Sequence, residues 1–202
     1  MKLRGLYAIT PDGSAGAVLK KKVQLALEGG IALLQYRNKA ASNERRVKEA
    51  SELAQLAREH GVPFIVNDDV DLALEVNADG VHLGRDDPEI SLSRKQLQGK
   101  LIGASCYNDI DLAGKAVRAG ADYVAFGSVF ASPTKPDAVR APLALFGKAK
   151  ALGVPVAAIG GITLHNAHQV IEAGADLVAV VSDLFDAPDI RARAREYGKL
   201  FT

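Results

Sequence analysis

The 202-residue sequence has a single cysteine, Cys106, no tryptophan and almost no excess of either charge. One cysteine excludes an intrachain disulfide and is typical of a reducing compartment. Lys and Arg number 25 against 24 acidic residues, and this net charge of +1 gives no field strong enough to recruit nucleic acid or an anionic membrane. The apolar residues of the amino-terminal LYAI are too few for a signal h-region or a membrane span. We therefore expect a cytoplasmic protein that acts on small molecules and binds neither nucleic acid nor membrane.

Short apolar runs recur along the chain, each opened by small or acidic residues and closed by polar ones. They lie in EGGIALLQYRNK, VPFIVNDD, NADGVHLGRDD, KLIGASCYN, AGADYVAFGSVFASPTK, VPVAAIGGIT and AGADLVAVVSD. Each run has the length of a buried parallel strand, and each interval can hold one amphipathic helix. The pattern predicts an α/β fold, a (β/α)8 TIM barrel, with residues 1–202 forming a single domain. A doubly wound open sheet has the same alternation and remains the alternative.

The apolar and turn patterns predict bounds for each element. Strands are expected at 3–9, 31–36, 63–66, 80–83, 101–104, 123–126, 154–159 and 177–181. Helices are expected at 15–27, 44–59, 70–76, 91–97, 110–118, 143–151, 165–172 and 188–200, with Asn43 placed to cap the second. The irregular stretch 127–140 is longer than most connections between a strand and a helix, and we interpret it as a candidate lid. In a barrel, the polar residues after each strand gather on one rim and form the active site.

Polar residues follow the second predicted strand at steps of two. Gln35, Arg37 and Lys39 would face the same way on an extended chain, with two positive charges at the strand end. Arg binds phosphate through two parallel hydrogen bonds and Lys binds it as a point charge, so the array suits an anionic ligand. A solvated basic turn is the alternative.

Carboxylates follow the third and fourth predicted strands. Asn67, Asp68 and Asp69 end one strand, and Asp87 lies just past its neighbour. Because Mg²⁺ is commonly held by one or two carboxylates together with substrate phosphates, this spacing indicates a metal site. Alternatively, Asp68 or Asp69 caps the next helix, and Asp87 is a turn residue before Pro88.

Two further segments suit phosphate. Gly160 and Gly161 follow the seventh strand and Ser182 follows the eighth, where many barrels bind a phosphate through backbone N–H groups. A tight turn would also explain the glycine pair. The segment 132–136 offers two hydroxyls and an ammonium group between prolines that stiffen a closing loop, although a surface turn has the same composition.

Histidine and cysteine chemistry is not indicated by spacing. His60, His82, His165 and His168 lack the neighbours of a metal site, so we assign none of them as a ligand. The sequence places no histidine beside Cys106, and a catalytic thiol is therefore not favoured.

The chain resembles the thiamine phosphate synthase family in eight segments, taken in order over nearly its whole length. They are LYAIT, LLQYRNK, FIVNDDVDLA, GVHLGRDD, IGASCYN, YVAFGSVFASPTK, AAIGGIT and GADLVAVVS, and the run FIVNDDVDLALEVNADGVHLG is the most specific. The resemblance implies a βα barrel that joins 4-amino-2-methyl-5-(diphosphooxymethyl)pyrimidine to a thiazole phosphate. The implied products are thiamine phosphate and pyrophosphate, and analogy with the family suggests self-association.

The resemblance also implies roles for residues, position by position. Those that would hold the pyrimidine diphosphate are Gln35, Arg37, Lys39, Asn67, Ser105 and Lys135, with Arg37, Lys39, Ser105 and Lys135 acting in catalysis. Those that would hold the thiazole phosphate are Ser132, Pro133, Thr134, Gly161, Val181 and Ser182. Asp68 and Asp87 match the family's Mg²⁺ ligands. Asn38 stands where the family usually has an acid, and Ser132-Pro133-Thr134 replaces a more usual Thr-x-Thr. Neither departure removes a phosphate-binding side chain, so we expect altered affinity and retained activity.

The mechanism implied by the resemblance needs no general base. The carbon–oxygen bond to pyrophosphate ionises first, and the thiazole nitrogen attacks the pyrimidine-stabilised cation with a lone pair that carries no proton. The protein then has to stabilise the leaving group and align two substrates. A thiazole tautomerase, a non-catalytic barrel that binds a thiamine precursor, and a phosphate-sugar isomerase are the alternatives. The tautomerase lacks much of the diphosphate and metal set, so it is disfavoured by the presence here of Arg37, Lys39, Asp68, Asp87 and Lys135.

Overall fold

The computed structural model describes residues 3–14, 16–85, 87–131 and 139–202, and they form a closed barrel of parallel strands in the order β1 to β8. The strands are β1 Gly5–Ile9, β2 Leu33–Tyr36, β3 Phe64–Asn67, β4 Gly80–Leu83, β5 Leu101–Tyr107, β6 Tyr123–Phe126, β7 Val156–Ile159 and β8 Leu177–Val180. Tyr7 of β1 pairs with Leu33 of β2 on one side and with Ala179 of β8 on the other. This closure confirms the predicted (β/α)8 fold and shows that an open sheet is wrong. The extent of the domain, 1–202, stays a prediction.

Helices cover the outside of the barrel between successive strands. They are α1 Gly16–Glu28, α2 Asn43–Glu59, α3 Val70–Glu75, α4 Ile90–Gln96, α5 Ile110–Arg118, α6 Ala144–Ala149, α7 Ala167–Glu172, α8 Ser182–Phe185 and α9 Ile190–Lys199. A 3₁₀ turn, Lys150–Leu152, extends α6. Among the described ranges, no helix has both the length and the apolar character needed to cross a membrane.

Alternation along each strand divides the core into two layers. In β1, Tyr7 and Ile9 point into the barrel, whereas Leu6 and Ala8 pack under the helices. Successive residues of a strand face opposite ways, so a strand that is apolar throughout is buried on both faces. Full burial of a large apolar side chain contributes about 1.5–3 kcal/mol. The apolar runs of the sequence are therefore buried on both faces, with one layer of side chains inside the barrel and one layer under the helices.

In three of the repeated segments, the aspartate just before the strand has a structural role at the end of the barrel where the strands begin. Asp79, Asp122 and Asp176 each precede a strand and accept a hydrogen bond from a backbone N–H of the preceding strand. The distances are 2.8 Å from Phe64, 2.7 Å from Ile102 and 3.0 Å from Val156. These carboxylates satisfy amides at the strand entrances, which would otherwise lack a partner in the sheet.

The structure corrects several predicted boundaries. Ser42, and not Asn43, caps α2, and its hydroxyl accepts from the N–H of Arg45 at 3.4 Å. Strand β5 continues three residues beyond the predicted end, through a register shift between Ser105 and Tyr107. Helix α8 was not predicted, because four residues are too few to show helical periodicity. Of the proposed lid, 132–138 lies outside the described residues.

Candidate active site

The end of β2 carries the predicted basic array and is fixed to its neighbours. Thr10, just past β1, accepts from the N–H of Arg37 at 2.8 Å and donates to its carbonyl at 3.0 Å. The guanidinium of Arg37 pairs with Asp12, and Lys39 Nζ lies 2.9 Å from Oδ2 of Asp68. Lys39 therefore reaches the predicted metal site, whereas Arg37 is turned toward the segment that follows β1.

Asp68 and Asp87 come together on the rim, as the spacing after β3 and β4 predicts. Asp87 accepts from the N–H of Gly84 at 2.5 Å, and its carboxyl group is close enough to that of Asp68 for each to shift the pKa of the other. Asp68 lies at a left-handed φ of 63°, which turns its side chain away from the following helix. Asp69 is the residue that caps α3, by accepting from the N–H of Leu72 at 2.9 Å. The capping alternative thus applies to Asp69, and Asp68 is left facing Lys39.

The pKa values of the two carboxyl groups are shifted in opposite directions. Burial disfavours the charged form of Asp68, but the hydrogen bonds from Lys39 and Asp87 outweigh it and lower the pKa of that carboxyl. Burial raises the pKa of Asp87, against the Gly84 N–H, and the adjacent charge of Asp68 raises it further. Two carboxylates so close repel each other unless a proton or a cation lies between them. The pair is therefore suited to a divalent cation.

A cavity of about 650 Å³ is lined by Asp68 of this pair and by Pro88, the residue after Asp87. Its lining includes Lys39, Asn67 and Asp68 from the predicted site, together with Arg46, Leu92 and Gln96. Asn67 ends β3 in register with His82 of β4. Space for a ligand thus lies on the rim next to three of the predicted binding residues.

Ser105 and Gln35 belong to a buried polar chain that the sequence analysis missed. Gln35 Nε2 lies 2.6 Å from the hydroxyl of Tyr7, and Ser105 Oγ lies 2.9 Å from Nε2 of His82. The hydroxyl of Tyr123 lies 2.9 Å from both Tyr7 Oη and His82 Nδ1 and completes the chain. The sequence does show polar residues at positions of otherwise apolar strands that face the barrel interior. It does not show that these residues, which lie on separate strands, contact one another.

The glycine pair after β7 is required by a close approach of the backbone. Gly160 and Gly161 have φ values of 101° and 63°, and a Cβ on Gly161 would lie 2.2 Å from the carbonyl oxygen of Ala131. Phe130 donates its N–H to the carbonyl of Gly160 at 2.9 Å. Packing against the segment that follows β6 therefore accounts for both glycines, whether or not a phosphate also binds there.

The predicted thiazole phosphate residues after β7 and β8 lie on adjoining connections. Asp183 of α8 accepts from the N–H of Leu164, in the connection after Gly161, at 3.2 Å. Val181 directly precedes α8 and Ser182 is its first residue. The structure thus ties the Gly161 connection to the Ser182 connection. The other predicted members of this set, Ser132, Pro133 and Thr134, lie outside the described residues, as does Lys135.

Asn38, the departure from the family pattern, is bound to a buried carboxylate. Its Nδ2 donates to Oε2 of Glu49 at 3.0 Å, and the hydroxyl of Tyr36 donates to the same oxygen at 2.8 Å. Oε1 of Glu49 accepts from Arg45 at 2.8 Å and from the N–H of Gly16 at 3.2 Å. These four hydrogen bonds and the positive charge of Arg45 hold the pKa of Glu49 below its ordinary value, although burial alone would raise it. Asn38 therefore anchors the strand end that carries Arg37 and Lys39.

Together, the closed parallel barrel and the polar groups at the carboxyl ends of its strands define an enzyme of the (β/α)8 class. The family model of thiamine monophosphate synthase matches residues 6–184 of the chain. The chain belongs to this family, and so to the transferases of thiamine biosynthesis.

Individual relatives agree with the family match over nearly the full length. The chain is 56% identical to the thiamine-phosphate synthase of Aromatoleum aromaticum, covering 99% of this chain and 97% of the relative. It is 54% identical to the enzyme of the same name from Chromobacterium violaceum, over 96% and 94% of the two chains. Among solved structures, the thiamine phosphate pyrophosphorylase of Pyrococcus furiosus superposes with a TM-score of 0.88. The identity is 38%, and the match covers 99% of this chain and 96% of the other.

Proposed function

We propose that the chain joins 4-amino-2-methyl-5-(diphosphooxymethyl)pyrimidine to a thiazole phosphate, and so forms thiamine phosphate and pyrophosphate. Membership of the family supports this reaction, and one structural observation carries it. Lys39, Asp68 and Asp87, contributed after three successive strands, form one contiguous cluster of a cation and two carboxyl groups. Such a cluster suits a diphosphate that is bound through a metal ion and a lysine.

Asp68 and Asp87 would hold Mg²⁺, and the influence of each carboxyl group on the pKa of the other supports their lying close together. When bound, the ion would neutralise charge on the departing diphosphate. Within the described ranges, no group of three or more His, Cys, Asp and Glu side chains could hold a metal ion. Two carboxylates fit Mg²⁺ nonetheless, because this ion usually takes its remaining oxygens from water and substrate phosphates.

The remaining residues of the proposal divide between the two substrates. Around the pyrimidine diphosphate we place Gln35, Arg37, Lys39, Asn67, Ser105 and Lys135, and around the thiazole phosphate Ser132, Pro133, Thr134, Gly161, Val181 and Ser182. Of these, Lys39 and Lys135 would supply positive charge to the leaving pyrophosphate, Arg37 would do so on leaving its partner Asp12, and Ser105 would contact the pyrimidine. This division follows from the resemblance.

The proposed chemistry is ionisation of the carbon–oxygen bond, followed by attack of the thiazole nitrogen on the cation. The buried groups near the site are consistent with a reaction that needs no side-chain nucleophile or base. Burial raises the pKa of Cys106 to about 12, with the Asp109 charge adding to it, so that the thiol stays protonated at neutral pH. Burial lowers the pKa of His82 to about 4, against the opposing charge of Asp68. Rate acceleration is then left to alignment and charge stabilisation.

The test is formation of thiamine phosphate by the purified chain from both precursors and Mg²⁺, with each component omitted in turn. The proposal predicts product only in the complete mixture. A tautomerase or a regulatory barrel would bind one precursor and form no thiamine phosphate. Absence of thiamine phosphate in the complete mixture would therefore refute the proposal. Self-association and a cytoplasmic location stay predictions, which sedimentation and cell fractionation would test.

A further inference from the structure

Five polar side chains form an unbranched chain of hydrogen bonds through the interior of the barrel. In order they are Gln35, Tyr7, Tyr123, His82 and Ser105, and the four links measure 2.6, 2.9, 2.9 and 2.9 Å. They come from β2, β1, β6, β4 and β5, so the chain crosses from one side of the barrel to the other. Both phenols and the imidazole are almost completely buried. The two ends, Gln35 and Ser105, are residues placed at the pyrimidine in the proposed function.

Each interior member has one proton to share between its two neighbours. Both phenols and the imidazole are buried and bind only uncharged partners along the chain, so the phenols keep their protons and the imidazole ring is neutral. A neutral imidazole donates from one nitrogen and accepts at the other. A contact without a hydrogen between its two polar atoms forfeits a buried hydrogen bond, and with one hydrogen in each of the four links only two arrangements exist.

The two arrangements run in opposite directions. In the first, Gln35 Nε2 donates to Tyr7, Tyr7 to Tyr123, Tyr123 to Nδ1 of His82, and Nε2–H of His82 to Ser105. This leaves the hydroxyl hydrogen of Ser105 and the carbonyl oxygen of Gln35 for a ligand. In the second, every bond is reversed, His82 carries its proton on Nδ1, and Gln35 and Ser105 exchange donor and acceptor roles.

We propose that Tyr7 and Tyr123 are positioning residues that couple the tautomer of His82 to the hydrogen-bonding groups that Gln35 and Ser105 offer the substrate. An aminopyrimidine presents an N–H donor beside a ring nitrogen that accepts. Each arrangement presents one donor and one acceptor to such a ligand, at opposite ends of the chain, and the orientation of the Gln35 amide, with Nε2 toward Tyr7, corresponds to the first. The substrate part of this inference rests on the proposed function, whereas the coupling concerns the protein alone.

Variants at the Gln35 end test the coupling at a distance. Gln35→Glu introduces a carboxylate that only accepts, so it should reverse the chain and move the His82 proton to Nδ1. Gln35→Met removes the end group and leaves Tyr7 with Tyr123 as its only acceptor, which keeps the proton on Nε2. The readout is the pair of ¹⁵N chemical shifts of the His82 ring at pH 8 in the free protein, because protonated and unprotonated nitrogens are well separated. His82→Asn assigns the signals among the other histidines.

A double variant separates transmission through the chain from a direct effect of the new charge. Tyr7→Phe combined with Gln35→Glu keeps the carboxylate but cuts the chain, so the proton should return to Nε2. Tyr36→Phe combined with Gln35→Glu is the matched control, because the Tyr36 hydroxyl binds Glu49 outside this chain. That control should keep the proton on Nδ1. An unchanged tautomer in Gln35→Glu, or one that Tyr7→Phe does not restore, would overturn the coupling.

Two further measurements complete the test. Ser105→Ala removes the acceptor at the other end and should also move the proton to Nδ1, which gives a second reversal if the carboxylate variant does not fold; an unmoved proton there contradicts the proposal. Saturating the unaltered protein with the pyrimidine diphosphate should keep the proton on Nε2, because the ligand then meets the groups that the Gln35 orientation leaves free; a switch to Nδ1 would overturn this direction of the chain in the bound state. Absence of thiamine phosphate formation would refute the proposed function and leave the free-protein tautomers as they are.

Discussion

Glu49 offers a stability prediction whose size follows from its contacts. Its side chain is only 6% exposed and accepts four hydrogen bonds, from Tyr36, Asn38, Arg45 and Gly16. Gln at this position keeps the shape, but it replaces an accepting oxygen by an NH₂ group that faces donors. The variant loses at least one charge-assisted bond, about 1.5–3 kcal/mol, and leaves a buried donor unpaired at a further cost of about 1–3 kcal/mol. Because these terms overlap, we expect Glu49→Gln to destabilise by about 3 kcal/mol at pH 7.5.

The assay is thermal unfolding of Glu49→Gln beside Glu52→Gln, a control on the same helix. At about 2–4 °C per kcal/mol for a chain of this length, the Glu49 variant should lose about 6–12 °C in Tm. Glu52 lies 3.7 Å from Lys20 on the surface, where ion pairs contribute about 0–1 kcal/mol, and its variant should move little. Equal shifts in the two variants would refute the reasoning, because they would mean that the buried hydrogen bonds contribute no more than a surface pair.

The pH dependence of the same effect has a defined sign. The folded pKa of Glu49 lies below its unfolded value of about 4.5, so its contribution is fully present above that pH. As the pH falls through the folded pKa, the carboxylate is protonated and the contribution is lost. The difference in unfolding free energy between the unaltered protein and Glu49→Gln should therefore narrow below about pH 4.5. A difference that stays constant or widens on acidification would contradict the assignment of a charged Glu49.

Two other predictions concern a strand entrance and the proposed lid. Asp122→Ala removes the acceptor of the Ile102 N–H together with the ion-pair partner of Arg94, and should destabilise by about 1–2 kcal/mol, measured by urea unfolding, with unaltered turnover. A change no larger than that of Asp186→Ala, whose carboxylate has a 3.9 Å ion pair with Lys22 as its one described polar contact, would count against this role. Lys135→Ala should lower turnover much more than Tm, since the residue lies in a polar segment predicted to be irregular. A matching fall in Tm would make Lys135 structural.

The barrel could be predicted from the sequence because its signal is local. Each strand is a short, mostly apolar segment, as in Tyr123–Phe126, and each helix between strands needs only a short amphipathic stretch. Boundaries were less accurate where one residue decides them, as when Ser42 caps α2 in place of Asn43. The continuation of β5 through a register shift at Ser105 depends on pairing with β6, which the run itself does not encode.

The candidate site was predictable where residues follow strand ends, and not where partners lie across the barrel. Adjacent parallel strands bring their carboxyl ends together, so the meeting of Asp68 and Asp87 follows from the order of the chain. Which of two neighbouring aspartates caps α3 depends on the backbone at Asp68, and the sequence left that choice open. The partnership of His82 with Tyr123 and Ser105 was missed, because three separate strands create it. Non-local contacts of this kind require the closed barrel.

The central claim is that Asp68 and Asp87 hold the ion that binds the leaving diphosphate. Pyrophosphate release at limiting Mg²⁺, measured for Asp68→Ala, Asp87→Ala and the exposed control Asp111→Ala, tests it most directly. The account predicts that the first two variants lose most of their turnover, about 100-fold or more, as expected when charge stabilisation of a leaving group is removed. The control should keep the rate of the unaltered protein. Normal rates in both site variants at limiting Mg²⁺ would contradict the account.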